Sequence, residues 1–166
     1  MKRTIMDLGL ALGLTTIITA CTTPYTEQNV QPPYNIPGLG EIMTQSAARH
    51  SKLWFAGQAK NWALATYEID ELREGFEDAG KYHPSHKQIR QSIPDLIAVT
   101  MNQPLAQLEQ AIREKNLQAF TDNYDKLTAA CNNCHRSTEF GFNVVTRPAL
   151  NPFSNQAFET NDKQAH

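Results

Sequence analysis

The run Cys131-Asn132-Asn133-Cys134-His135 holds the residues of this chain best equipped for chemistry. Two thiols three places apart share one side of a helix, within reach of both vinyl groups of a single haem. Each thiol can add across one vinyl, and the imidazole at the next position is then directed toward the iron as its proximal ligand. Cys-x-x-Cys-His is the attachment sequence of c-type haem, so Cys131 and Cys134 are expected to carry one covalent haem c and His135 to bind its iron. Three other uses compete. A thioredoxin-type dithiol wants a βαβ setting and has no need of the histidine. A zinc site needs a fourth ligand from His50, His83 or His86, and structural zinc sites usually bring a second Cys/His pair. A disulfide between Cys131 and Cys134 suits an oxidising compartment but leaves His135 without a role.

A haem at this point needs a helical frame, and the apolar periodicity predicts one. Leu39, Met43, Ser46, His50, Leu53 and Gly57 recur at intervals of four and three and trace one helix stripe. Asn61 can cap a second helix with the stripe Trp62, Ala65, Ile69, Leu72, Phe76 and Ala79, ended by Gly80 and the turn from Lys81 to His86. A third stretch runs from about Ile89 to Lys115, where Pro94 marks an early turn and Pro104 is expected to kink or split the helix. Asn116 separates it from a fourth helix with Leu117, Phe120, Tyr124, Leu127, Cys131 and Cys134 on one face. The economical arrangement is all-α, an up-down-up-down four-helix bundle over residues 39–140. The fourth stripe sets both thiols on the buried face, so a group attached there lies inside the bundle.

The chain has 166 residues, 40% of them hydrophobic, with formal charge −2, which suits one domain and lacks the basic surface of a nucleic-acid binder. Its third cysteine belongs to export. Met1-Lys2-Arg3 precedes an apolar run from Leu8 to Ala20, which reads as a signal peptide over residues 1–20. A helix of that length covers about 20 Å, short of the roughly 30 Å hydrocarbon core. Ile18-Thr19-Ala20-Cys21 resembles a bacterial lipobox, which implies lipidation of Cys21 and a membrane anchor; Thr22 in place of Asp points to the outer membrane of the periplasm. Residues 21–38, with Pro24, Pro32, Pro33 and Pro37, read as an extended tether, and residues 141–166 as an irregular C-terminal extension without helical period.

A single Cys-x-x-Cys-His on the last helix of a four-helix bundle resembles the class II c-type cytochromes, the cytochrome c′ and cytochrome c-556 group. The likeness spans about Leu39 to Phe140. It implies electron transfer with a redox partner protein, or gas binding; an enzyme is not expected, since no distal His–Arg pair is evident. Two departures stand out: Thr138 and Glu139 replace the group's usual aromatic and basic residues, and 31 residues follow His135. The resemblance puts the other side of the iron on the first helix, where Met43 and His50 are the candidates. They lie about 10 Å apart along a helix and cannot share one iron. Met43 as sixth ligand implies an electron carrier. His50 implies bis-histidine ligation or, as a core residue, a bond to a propionate or carbonyl. An empty site implies a five-coordinate haem protein that binds or senses NO or CO.

Trp54 and Trp62 are expected to fill space around the macrocycle or between helices. His83 and His86 read as solvated turn residues, and Arg136 and Arg147 as surface residues with propionate pairing as the alternative. Glu68, Asp70, Glu71, Glu74, Glu77 and Asp78 read as an acidic outer face of the second helix. No distal His–Arg pair supports a peroxidase. Homodimers are common in the group, but they would use outer residues that the sequence does not assign.

Overall fold

The computed structural model describes residues 35–160 except Gln88; the signal segment, Cys21 and most of the tether lie outside them. The described residues form four helices, α1 (Leu39–Gln58), α2 (Trp62–Tyr82), α3 (Ile93–Arg113) and α4 (Leu117–Ser137), with no strand beyond a single bridge between His86 and Ile89. Each helix is about 30 Å long. They pack as an all-α four-helix bundle in which α1 lies against α2, α2 against α3 and α3 against α4, while α1 and α4 meet more sparsely than these three pairs.

Local chemistry sets the helix ends. The Glu41 carboxylate accepts from the Gly38 N–H, 2.9 Å away, at the start of α1. Asn61, Ser92 and Asn116 cap the other three helices by accepting from Leu64, Asp95 and Ala119 N–H groups. The α1–α2 and α3–α4 connections are built alike. Lys60 and Lys115 both take left-handed backbone angles, φ 58° and 54°, and the asparagine that follows each is the next cap. The Asn61 N–H bonds back to Ala56 and the Asn116 N–H to Ala111.

Several expectations about the frame need correction. The α2 helix runs two residues past Gly80 to Tyr82. The α3 helix is continuous through Pro104, and Pro94 sits in its first turn, where an N–H has no helical partner to lose. The buried face of α1 includes Ile42 and Trp54, off the expected stripe, while Met43 is only half-buried. Glu68 does not belong to the acidic outer face: it is 1% exposed and paired with Arg49 at 3.2 Å. Arg49 also holds Glu71 at 2.7 Å and lies over the Tyr67 ring.

The core is solid at one end of the bundle. There Trp54 stacks near Tyr124 and Phe120, Trp62 meets Phe120 edge-on, and Leu53, Leu108 and Ile112 close the gaps. Gly57 is what lets Phe120 in: a Cβ there would fall 2.0 Å from the ring's Cζ. The opposite end, formed by the start of α1, the end of α2, the start of α3 and the end of α4, is hollow.

Candidate functional site

The hollow is a cavity of about 610 Å³, inside the roughly 300–1,000 Å³ typical of small-molecule and cofactor sites. The α4 helix contributes Cys131, Cys134, His135 and Thr138 to its wall. The α1 helix contributes Met43, Ser46, Ala47 and His50, and Leu72 and Phe76 come from α2. Ile93, Leu96, Ile97 and Met101 of α3 complete the apolar lining. Cys131, Cys134, His135 and both candidates on the first helix, Met43 and His50, therefore meet this one space. No carboxylate lines it, and Lys87 is the sole lysine or arginine on the wall among the described residues.

Both thiols are free rather than bridged. Burial pushes the Cys131 thiol up to about 12, with Cys134 adding to the shift, and burial also raises Cys134, which lies beside the Thr100 hydroxyl. Both are therefore protonated near neutral pH. A thioredoxin-type nucleophile needs the reverse, a depressed thiol in an electropositive setting. Among the described residues no three His, Cys, Asp or Glu side chains converge as a metal-binding cluster, so the four-ligand zinc alternative has no ligand set there.

His135 is half-buried, and its Nδ1 lies 2.6 Å from the Asn143 carbonyl oxygen. A carbonyl only accepts, so Nδ1 carries the proton and Nε2 keeps its lone pair. Such an imidazole is ready to bind a metal through Nε2. Thr138, at the end of α4, donates to the Cys134 carbonyl at 2.9 Å and is buried against the wall.

His50 is placed differently. Its Nε2 lies 2.9 Å from Thr128 Oγ1 and its Nδ1 3.0 Å from the Tyr124 hydroxyl, against which the ring stacks at 4.4 Å. The Tyr124 hydroxyl also lies 2.9 Å from the His50 carbonyl and the Thr128 hydroxyl 2.9 Å from the Tyr124 carbonyl; with one N–H on the neutral ring, one of these hydroxyls accepts from it and the other turns its single proton to the remaining ring nitrogen. Both ring nitrogens are thus engaged by α4. Burial lowers the His50 pKa to about 4, so the ring is neutral near pH 7. It pins α1 to α4 at the floor of the cavity.

The remaining candidates lie elsewhere. Trp54 and Trp62 pack between helices at the solid end. Arg147 pairs with Asp125 and covers the Trp54 ring at 4.4 Å, and Arg136 donates to Asn133; neither lines the cavity. The turn histidines are not simply solvated. His83 Nε2 reaches the Pro37 carbonyl at 2.7 Å, and His86 lines the cavity mouth beside Lys87.

Three contributions escaped the sequence reading. Met101, 2% exposed, puts a second thioether on the wall; its spacing from Ile97 and Leu105, four residues either way, marks it in the sequence only as a core residue. Lys87 reaches the mouth through a left-handed backbone, φ 44°, that nothing in its sequence neighbourhood signals. The extension supplies Asn143 and Val145 to the wall. From there it follows the sparse α1–α4 side, with Arg147 at Asp125, Phe153 under Lys52, and buried Phe158 against Phe55. No family model, curated protein or solved structure matches the chain.

Proposed function

We propose that this chain is an exported c-type haem protein that carries one covalent haem and works in electron transfer with a protein partner. One observation carries the reading: both thiols and the imidazole of a five-residue run open onto one apolar cavity inside a helix bundle. The residues fit the group. The cavity has cofactor dimensions, the thiols are neutral and unbridged, and His135 has its proton on the nitrogen away from a metal-binding lone pair.

When bound, the haem supplies one-electron redox chemistry at its iron. Cys131 and Cys134 would hold it through two thioether links, one from each thiol. His135 would bind its metal through Nε2. Met43 on α1 would be the second protein ligand to the metal, since His50 already spends both nitrogens on Tyr124 and Thr128. Leu72, Phe76, Ile93 and Ile97 exclude water, which sets the potential along with the ligands. Lys87 is the residue available to meet a propionate at the mouth. Lipidation of Cys21 would hold the protein on the outer membrane, facing the periplasm.

The test is expression of the full chain in cells able to mature c-type cytochromes, followed by acid–acetone extraction. The haem should remain with the protein, and the double variant Cys131→Ala/Cys134→Ala should lose it. Extraction of the haem from the wild-type chain refutes the proposal. The optical spectrum then reads the sixth position. Low-spin bands with the weak long-wavelength absorption of an oxidised iron–thioether bond indicate methionine ligation, low-spin bands without it a second histidine, and high-spin bands that shift with CO an open, gas-binding site.

A further inference from the structure

After α4 the chain doubles back on the helix it has just left. The Phe140 N–H donates to the His135 carbonyl at 2.8 Å, and the Asn143 N–H donates to the Phe140 carbonyl at 2.8 Å. This turn brings the Asn143 carbonyl to His135 Nδ1. Two residues on, the Asn132 side chain grips the backbone of Val145 at both of its polar groups. Its Nδ2 donates to the Val145 carbonyl and its Oδ1 accepts from the Val145 N–H, each at 2.8 Å. A primary amide matches the donor–acceptor pair of an extended residue, and few side chains can make both bonds at once.

We propose that Asn132 is a positioning residue for His135, acting through the C-terminal extension. By holding Val145 it keeps the Asn143 carbonyl on Nδ1, and that carbonyl selects the tautomer whose lone pair is on Nε2. Asn132 occupies the first variable place between the two cysteines, so the motif itself contains the clamp for the segment that orients its histidine. The tautomer follows from the protein alone. Its consequence for the iron rests on the haem reading: a hydrogen bond from Nδ1–H to a carbonyl makes the imidazole a stronger donor, which favours oxidised iron.

The first measurement uses the full-length apo chain with its thiols kept reduced, and reads the His135 ring by nitrogen NMR, assigned against His135→Gln. The wild type should show Nδ1–H, and Asn132→Ala should shift His135 toward Nε2–H. Asn132→Asp keeps the bond to the Val145 N–H but sets a carboxylate against the Val145 carbonyl, and should move the ring the same way by less. Phe158→Ala loosens the far end of the extension, where Asn61 Nδ2 donates to the Phe158 carbonyl, and should leave the tautomer alone. In the haem-loaded protein, Asn132→Ala should raise the midpoint potential, with Phe158→Ala close to wild type. Retention of Nδ1–H in both Asn132 variants overturns the proposal, as does an equal shift in Phe158→Ala. A wild-type chain that takes up no haem refutes the proposed function, and the apo tautomers still decide the role of Asn132.

Discussion

Acid should unfold this protein partly through His50. The ring is 4% exposed and its pKa falls to about 4 because burial penalises the charged form; the ordinary value is 6.5. Between those two values the unfolded chain binds a proton that the folded chain refuses. Stability therefore rises with pH across this window, is fully present above about 6.5, and falls as the pH drops through 4. A shift of that size corresponds to about 3 kcal/mol, and near pH 5 the slope approaches about 1.4 kcal/mol per pH unit. Carboxylates titrate in the same range, so the measurement is a difference. Urea unfolding of wild type and His50→Gln, run from pH 4.5 to pH 7.5 in steps of about half a unit, isolates the one group. Gln keeps polar atoms for Tyr124 and Thr128 but cannot take up a proton. The wild type should lose stability faster than the variant on acidification, and the two should run parallel above about pH 7. Superimposable pH dependences would refute the reasoning, because Tyr124 and Thr128 would then solvate an imidazolium as well as water does.

In the haem-loaded protein, Met43→Ala should turn the oxidised iron from low to high spin and allow CO to bind the reduced form. The same change in Met101→Ala but not Met43→Ala would move the ligand to α3, and Met101→Ala should in any case cost about 2–5 kcal/mol as a truncation in the core. Gly57→Ala should destabilise the fold by about 1–3 kcal/mol despite the better helix propensity of alanine. Its Cβ would overlap three Phe120 ring atoms within 2.6 Å, and that ring is held by Trp54, Trp62 and Tyr124. Thermal melts of Gly57→Ala and of Gly57→Ala/Phe120→Leu check this, with recovery expected in the double variant.

The four helices were legible because each buries a long apolar stripe, and the period of a stripe survives in a single sequence. Their details were less so. Gly80 and Pro104 carry breaker propensities of about 1 and 3 kcal/mol, which packing of Ala79, Met101 and Leu105 offsets. Glu68 looked solvated among its acidic neighbours, yet it lies between Ala65 and Leu72 on the inner side, and its cation is on another helix. The thiols and His135 were found because their geometry is local to one turn of helix. The parts of the cavity that come from elsewhere had no such mark. Met101 resembles any core methionine, and at the cavity the extension is held through the backbone groups of Asn143 and Val145, which every sequence has.

The division of the core into a solid and a hollow half runs across all four helices instead of between them. Each helix has one half anchored by aromatic and leucine packing and one half facing the cavity. Resistance to opening is therefore graded along each helix. The amides of Leu53, Ala65, Leu108 and Phe120, all in the buried core, should exchange hydrogen only when the whole bundle unfolds. Those near Met43, Phe76, Ile97 and Cys131 can open while the other end stays closed. A bundle organised in this way can be complete at its base before anything enters at its mouth, and the two short lysine–asparagine connections sit at that base.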